Sequence, residues 1–304
     1  MGSLDFLAKY PFSDEAKKLV ERENLSIEEL AYDPLLSKAR KMAKERLERA
    51  VLRSAAPQPD LLDPASEIYS LIIARIIVEG SKDEMLRNLL AEHESKRFMQ
   101  VSRDESDENL LKIASDLGVR MELKGEFHVN ILDYIRLSKR LRDPKWRAVN
   151  RRVEKGNVLL SRDEARRLLA EAVRERILSK IEVPELPSPF MEILKSLNIP
   201  RKAVKKGKKG LLPCIESLLD SIMKGENLPH IARFALASHL LASGWSKDEV
   251  LDVFRHSPDF KEKIARYQIE QIAKKGYRPP SCRKMISWGL CPGECRVRKG
   301  AKAD

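Results

Sequence analysis

Residues 282–295 read CRKMISWGLCPGEC and contain three of the four cysteines in this 304-residue chain. The fourth cysteine, Cys214, lies 68 positions before the first of them, and no cysteine precedes it. Four thiolates are enough to complete a zinc site or to hold an iron–sulfur cluster. We therefore predict that Cys214, Cys282, Cys291 and Cys295 bind one metal centre that joins the two ends of a C-terminal domain.

The spacing of these cysteines favours an iron–sulfur cluster, although zinc remains an alternative. Structural zinc sites usually contain paired cysteines separated by two to four residues. Cys291 and Cys295 come near to that pattern, whereas Cys282 stands apart. Pro292 directly follows Cys291, as in some ferredoxin-type motifs. Two disulfides would also use four cysteines, but a reducing compartment favours metal binding.

Composition indicates a folded intracellular protein. The chain is 42% hydrophobic and long enough for two domains, each with its own core. No apolar run approaches the roughly 20 residues of a membrane span. The first five residues, MGSLD, lack the basic and apolar regions of a secretory signal. We therefore expect a cytoplasmic protein with no membrane partner.

Positive charge is concentrated in the part of the chain that carries the cysteines. Residues 196–304 contain 22 Lys and Arg against 11 Asp and Glu, whereas residues 1–195 contain 36 against 35. A basic domain joined to a neutral one is typical of proteins in which one part binds a polyanion such as nucleic acid. A solvated basic surface without such a partner is the alternative.

Hydrophobic periodicity predicts a mostly α protein with two domains. We expect an N-terminal helical domain with a small α/β part (1–195), a basic linker (196–210) and an all-helical C-terminal domain (211–304). In the first domain the pattern predicts helices over 14–53, 65–78 (closed by Gly80) and 82–102, strands over 117–123, 126–132 and 156–160, and a helix that starts at the Ser161/Glu164 capping box. In the second it predicts helices over 211–224 and 229–242, one that starts at the Ser246/Glu249 capping box, and one from 257 to Gly276.

His230 and Arg233 are three residues apart, so they share one face of the predicted helix that follows Pro229. The free N–H groups and dipole at a helix start favour an anion, and a His and an Arg there would suit a phosphate. A surface His with a solvated Arg fits the same spacing, and the residues alone favour that alternative.

Tyr267, Gln271 and Lys274 also share one helical face. A tyrosine ring beside a lysine can stack on a base and pair with a phosphate, so Tyr267 and Lys274 are candidate nucleic-acid contacts. A half-buried tyrosine with two exposed neighbours is an equally good interpretation. The run RKAVKKGKKG at 201–210 would attract a phosphate backbone or act as a flexible linker.

Several catalytic motifs are absent from the sequence. It has no D-x-D pair for two-metal polymerase chemistry, no phosphate-binding G-x4-G-K-[ST] loop and no G-x-S-x-G elbow. We therefore expect a chain that is not itself an enzyme.

Several short motifs together resemble the large, regulatory subunit of the archaeal and eukaryotic type of DNA primase. The C-terminal ones are LPCI at 212–215, PHIARF at 229–234, GWSKDE at 244–249, and PPSC at 279–282 with Cys291-Pro292 and Cys295. YPFSDEA at 10–16, Asp133-Tyr134, and Asn150 with Gly156 add weaker similarity in the N-terminal domain.

This resemblance implies a [4Fe-4S] cluster on the four cysteines and a heterodimer with a catalytic small subunit, which the N-terminal domain would dock. It also implies that the C-terminal domain helps to start primer synthesis in DNA replication by binding template DNA, the primer and its 5′-triphosphate end. The family's triphosphate contacts correspond to His230 and Arg233, and a third basic contact has no evident counterpart in 228–233. The alternatives are an iron–sulfur DNA repair glycosylase and a zinc-containing DNA-binding regulator.

Overall fold

Two separate sets of helices, one of them with a small sheet, make up the computed structural model, which describes residues 4–141, 143–199 and 211–293. Backbone contacts divide the chain between Asn198 and Ile199. The first unit is helical with one antiparallel sheet, and the described part of the second is helical, which agrees with the predicted mostly α class. The basic run predicted as a linker lies at 201–210, outside the described residues.

The first unit contains ten of the described α-helices and four strands. They are α1 (Leu4–Lys9), α2 (Asp14–Glu23), α3 (Ile27–Tyr32), α4 (Ser37–Leu52), α5 (Pro64–Ser81), α6 (Glu84–Val101), α7 (Asp107–Asp116), β1 (Met121–Lys124), β2 (Glu126–Asn130), α8 (Ile131–Ser138), β3 (Val153–Glu154), β4 (Asn157–Leu160), α9 (Arg162–Leu178) and α10 (Ser188–Ser196). Short 3-10 turns lie at Pro34–Leu36, Pro144–Trp146 and Ala148–Asn150.

The single helix predicted over 14–53 is wrong, because the chain stops and restarts within it. Asn24 ends α2 with a left-handed φ of 47°, and Ser26 opens α3 with a capping box to Glu29. Pro34 then starts a 3-10 turn, since its ring prevents a helical hydrogen bond from its own nitrogen. Helical periodicity continued across these caps, which hid them.

Gly80 does not end its helix as predicted. α5 continues to Ser81, and Lys82 is the residue in left-handed conformation. A Cβ on Gly80 would lie 2.3 Å from Cγ of Leu186, so the glycine is needed for close packing of the segment before α10. α10 itself was not predicted, because the proline-rich stretch before it looked like a domain boundary.

The sheet has the order β1-β2-β4-β3 and is antiparallel throughout. Lys124 pairs with Glu126 across Gly125, whose φ of 79° suits the predicted turn. The second predicted strand is too long, since residues 131 and 132 begin α8, and the two-residue β3 was missed. The predicted capping box at Ser161 is confirmed at the start of α9.

A buried ion network joins α4, α5 and α6 of the first unit. Arg46 donates to Glu94 at 2.7 Å and to Glu67 at 2.9 Å, and Arg97 lies 3.4 Å from Glu67. The side chain of Ser70 accepts a further hydrogen bond from Arg46 at 3.0 Å. Burial opposes a charge on Glu94, yet the pKa of Glu94 is lowered because Arg46 and Arg97 stabilise its carboxylate. These charges satisfy one another, which lets them remain in the core.

The second unit contains five described helices around one apolar core. They are α11 (Pro213–Met223), α12 (His230–Ala242), α13 (Lys247–Phe254), α14 (Glu262–Lys275) and α15 (Cys282–Ser287). The capping box at Ser246 and the left-handed end of α14 at Gly276 are confirmed. The predicted helix start at 257 is wrong, because residues 257–261 form turns before α14. Trp245, Met285 and Ile269 are among the buried core residues.

None of the helices in the described part of the chain is both long enough and apolar enough to cross a lipid bilayer.

Glu94→Gln should destabilise the first unit by about 3 kcal/mol, because it leaves the buried charge of Arg46 with an incomplete set of partners. Urea unfolding followed by circular dichroism measures this change. Glu48→Gln provides the control, since Glu48 is in a partly exposed pair with Lys44 on α4 and its loss should change stability by less than about 0.5 kcal/mol. Equal effects of the two variants would contradict a stabilising role for the buried network.

Candidate functional site

The predicted metal ligands occupy both ends of the second unit. Cys214 is buried in the first turn of α11, Cys282 is the exposed first residue of α15, and Cys291 is half-buried just beyond that helix. None of these three is in a disulfide. Cys295 lies outside the described residues. Among the residues that the structure describes, no three His, Cys, Asp or Glu side chains are arranged to hold a metal ion.

Packing nevertheless brings the chain around Cys291 back towards the start of α11. Met285 of α15 belongs to the same buried core as Cys214, and the amide of Leu290 donates to the carbonyl of Met285 at 2.9 Å. Pro213 and Pro292, the neighbours of Cys214 and Cys291, line one open cleft. The thiol donors suit an iron–sulfur or zinc site, and the fold returns the end of α15 to the right region.

His230 and Arg233 lie in the first turn of α12, as predicted. Pro229 is the N-cap residue and provides no side-chain acceptor for the first N–H groups. The first backbone bond of the helix is from Arg233 N–H to the carbonyl of Pro229, at 2.9 Å. Three preceding amides, of 230–232, therefore have no acceptor within the helix, the property that suits an anion. The side chain of His230 is exposed.

Arg233 is held by three parts of the second unit. Its Nε donates to the carbonyl of Leu228 at 2.8 Å, and its Nη2 donates to Asn227. The same Nη2 lies 2.6 and 2.7 Å from the two carboxylate oxygens of Asp259, in the turn before α14. Among the described residues, no acceptor is bonded to Nη1 of Arg233. One edge of the guanidinium is thus fixed by the protein, and the Nη1 group remains for another acceptor.

Asp259 is partly buried but stays ionised. Burial raises the pKa of its carboxyl, but hydrogen bonds from Arg233 and from the hydroxyl of Ser257, at 2.7 Å, outweigh burial and lower the pKa below its ordinary value. Lys261 follows two residues later and is exposed. Since consecutive Cα atoms are about 3.8 Å apart, the Cα of Lys261 lies within about 7.6 Å of that of Asp259. Sequence reasoning missed both residues.

Tyr267 and Lys274 are exposed on one face of α14, and the side chain of Tyr267 is 61% exposed. Gln271, between them, is half-buried. The structure therefore leaves the tyrosine ring open to a stacking partner, one of the two arrangements that the sequence allowed.

A second aromatic group in this unit was missed. The rings of Phe234 on α12 and Tyr277 after α14 meet edge to face, with centroids 5.6 Å apart. The Lys275 ammonium lies 5.9 Å from the Tyr277 ring centroid. The sequence signal was KKGYR at 274–278, an aromatic residue within a basic run, which is a common feature of surfaces that bind single strands.

Two surfaces of the first unit expose large apolar side chains. On α8, Leu132 and Ile135 are 65% and 45% exposed and three residues apart, so they share its outer face. At the other surface, Leu35 and Leu62 are 86% and 99% exposed on two capped turns. Lys38 bridges the carboxylates of Asp60 and Asp63 beside this second pair. Exposed apolar groups of this kind indicate contact with another macromolecule.

Comparison with protein-family models gives two matches that together cover most of the chain. Residues 8–186 match the N-terminal domain of the eukaryotic and archaeal DNA primase large subunit. Residues 205–303 match the C-terminal domain of the same subunit.

Curated relatives cover nearly the whole chain. The DNA primase large subunit PriL of Methanocella arvoryzae is 36% identical over 95% of this chain and 84% of its own length. The subunits of the same name from Methanosarcina mazei and Halobacterium salinarum are 34% and 30% identical over 96% and 93% of this chain, and 84% and 87% of their own lengths.

Proposed function

Because the chain belongs to the family of archaeal and eukaryotic DNA primase large subunits, we propose that it is the accessory subunit of a heterodimeric primase. In this role the first unit docks the catalytic subunit, and the second holds the 5′-triphosphate end of the primer against the template. Nucleotidyl transfer belongs to the catalytic partner. Membership of this family removes the glycosylase and the zinc-containing regulator as alternatives for the whole chain.

The arrangement of the first turn of α12 is the observation that carries the triphosphate proposal. It combines uncapped helix N–H groups, the exposed ring of His230 and the free Nη1 group of Arg233. A triphosphate presents oxygens to all three kinds of donor, and charge-assisted bonds to it are strong. Lys261, on the turn that Asp259 ties to this site, is the candidate for the third cation.

Holding the triphosphate end would assist initiation through proximity. The first bond of a primer joins two free nucleotides, which the enzyme must bring together. Fixing one of them by its phosphates makes the encounter local and removes part of its entropic cost. Tyr267 and Lys274 would hold the template strand by stacking and by charge.

The four cysteines would hold the [4Fe-4S] cluster, with Cys214 on α11 and the other three around and beyond α15. The cluster's contribution here is structural, since its ligands tie the last segment of the chain to the first helix of the unit. The core contacts of α15 maintain the same closure through Met285. The packing of α12 and α14 on that core would then keep the phosphate-binding turn in place.

The outer face of α8 is the better candidate for docking the catalytic subunit. Leu132 and Ile135 form a regular stripe on a helix whose opposite face, including Tyr134, is buried. Val149 is also exposed, in the short turn of the α/β part after α8. An apolar stripe of this kind resembles the centre of a protein–protein interface.

Arg233→Ala and His230→Ala should each reduce de novo initiation by the reconstituted heterodimer about tenfold or more, since each removes a charged or polar donor to phosphate. Extension of a preformed primer with a 5′ hydroxyl should be unchanged. Gel assays of the first dinucleotide and of primer extension measure the two steps.

Asp259→Asn is the matched control for Arg233→Ala, because it weakens the ion pair and keeps the arginine. The account expects a smaller initiation defect in this control. An equal defect in both variants would show that Arg233 acts only by holding the turn, and unchanged initiation by Arg233→Ala would contradict the triphosphate role.

Cys282→Ser should abolish the brown colour and most of the iron of the anaerobically purified chain, because it removes one of the four thiolates. Iron, sulfide and zinc analysis measures this. Ser281→Ala is the control, since it removes the N-cap hydroxyl of α15 and keeps every thiol. Zinc without iron in the wild-type chain, or iron retained by Cys282→Ser, would overturn the cluster assignment.

Replacing Leu132 and Ile135 together with Glu should weaken binding to the catalytic subunit at least tenfold, since buried apolar anchors typically contribute about 2 kcal/mol or more each. Surface-immobilised binding measurements give the Kd. The matched variant replaces Leu35 and Leu62 with Glu and should bind normally. The reverse pattern would place the docking surface at the Leu35–Leu62 side.

A further inference from the structure

The charge of the first unit is distributed unevenly. Residues 139–155 contain eight Lys and Arg against two Asp and Glu, within a region of 195 residues that is almost neutral. The concentration of positive charge in the last third of the chain is therefore not the only one. This second basic segment begins at the end of α8 and runs to the turn between β3 and β4.

Most arginines around this segment are engaged with carboxylates. Arg120 pairs with Asp133 at 2.8 Å, Arg151 with Glu164 at 2.7 Å, and Arg152 with Glu126 at 2.6 Å. Arg136 pairs with Glu175 and Asp133. These charges are neutralised within the fold and add little to its outer field.

Four cations differ from these. Within the part of the chain that the structure describes, Lys139, Arg140, Lys145 and Arg147 have no carboxylate partner, and each is exposed or half-exposed. Asp143 is the only acidic residue of 139–147, and its carboxylate accepts a hydrogen bond from the amide of Lys145 at 3.0 Å. We call these four side chains the basic ridge.

The backbone that carries the ridge is fixed by buried contacts. Trp146 is buried, stacks on Tyr134 with ring centroids 6.4 Å apart, and accepts the Tyr134 hydroxyl at its carbonyl, at 2.8 Å. Asn150 donates to the carbonyl of Pro144 at 2.8 Å. Lys145 and Arg147, on either side of this tryptophan, thus project from a held turn, which lowers the entropy lost on binding a ligand.

The chemistry of the ridge fits phosphates better than a protein surface. No large apolar side chain is exposed between 139 and 147, apart from residue 142, which is not described. Interfaces between proteins are depleted of charge at their centre and depend on buried apolar anchors. Four unpaired cations without such anchors match the pattern of groups that neutralise a nucleic-acid backbone.

We propose that the basic ridge of the first unit binds nucleic-acid phosphates as a second site, separate from the second unit. The contact is electrostatic and independent of base sequence. Its ligand is the template strand or the short duplex formed during synthesis, both of which present the same phosphate chemistry.

The test uses the full chain and measures DNA binding by fluorescence anisotropy over a range of salt concentrations. The variant replaces Lys139, Arg140, Lys145 and Arg147 with Gln. Each lost phosphate contact changes the salt slope by about 0.7 for a single strand and about 0.9 for a duplex. The expected change in slope is thus about 3 for a 5′-hydroxyl single strand, or about 3.6 for a duplex, and the probe that shows it identifies the source.

A matched variant controls for the loss of four positive charges. It replaces Lys17, Lys18, Arg22 and Lys41 with Gln; all four are exposed on α2 and α4. This variant should keep the wild-type slope with both probes. Both variants should also keep the wild-type midpoint of urea unfolding, since the replaced side chains are on the surface.

Equal slopes for the ridge variant and the wild-type chain with both probes would overturn the proposal. So would an equal change in the matched variant, which would show only a general effect of net charge. A ridge variant that binds DNA normally and loses affinity for the catalytic subunit would assign the ridge to an acidic protein surface, which also contradicts the proposal. Loss of slope with the Leu132–Ile135 interface intact supports it independently of docking.

Discussion

The ion pair between Arg233 and Asp259 is the contact on which the geometry of the second unit depends most. It joins the start of α12 to the turn before α14, and the bonds from Arg233 to Asn227 and Leu228 add the turn after α11. Three connections between helices thus meet at one guanidinium. The carboxylate keeps its charge despite partial burial because the arginine is there. The same arginine keeps one nitrogen available for a ligand.

This arrangement reconciles two roles that the sequence presented as alternatives. A solvated surface arginine would lose considerable side-chain entropy on binding a phosphate, whereas an arginine held on one edge is already oriented. A wholly occupied guanidinium, on the other hand, could bind nothing further. Arg233 lies between these cases, so Asp259 positions it without consuming all of its donors. The buried Arg46–Glu94 network provides comparable rigidity in the first unit, where the exposed face of α8 needs a firm support.

The sequence predicts the parts of this protein that depend on local chemistry. The capping boxes at Ser161 and Ser246 and the glycine end of α14 are contained within four or five residues, and the structure confirms them. The family resemblance rests on short motifs in the same way, and the comparisons confirm it. The metal and its ligands remain predictions.

What the sequence could not show depends on contacts between distant residues. Arg233 and Asp259 are 26 positions apart, and nothing in either local pattern relates them. Gly80 looked like a helix end because its true neighbour, Leu186, is far along the chain. The basic ridge was hidden for a related reason: net charge over 195 residues averages it with acidic groups elsewhere, and only the structure shows which cations lack partners.

The most direct test of the account is the affinity of the isolated full chain for one oligonucleotide carrying either a 5′ triphosphate or a 5′ hydroxyl. The account predicts at least tenfold tighter binding of the triphosphate form, and His230→Ala should remove most of that difference while leaving the hydroxyl form unaffected. Equal affinity of the wild-type chain for the two forms would contradict the claim that the first turn of α12 recognises the primer end.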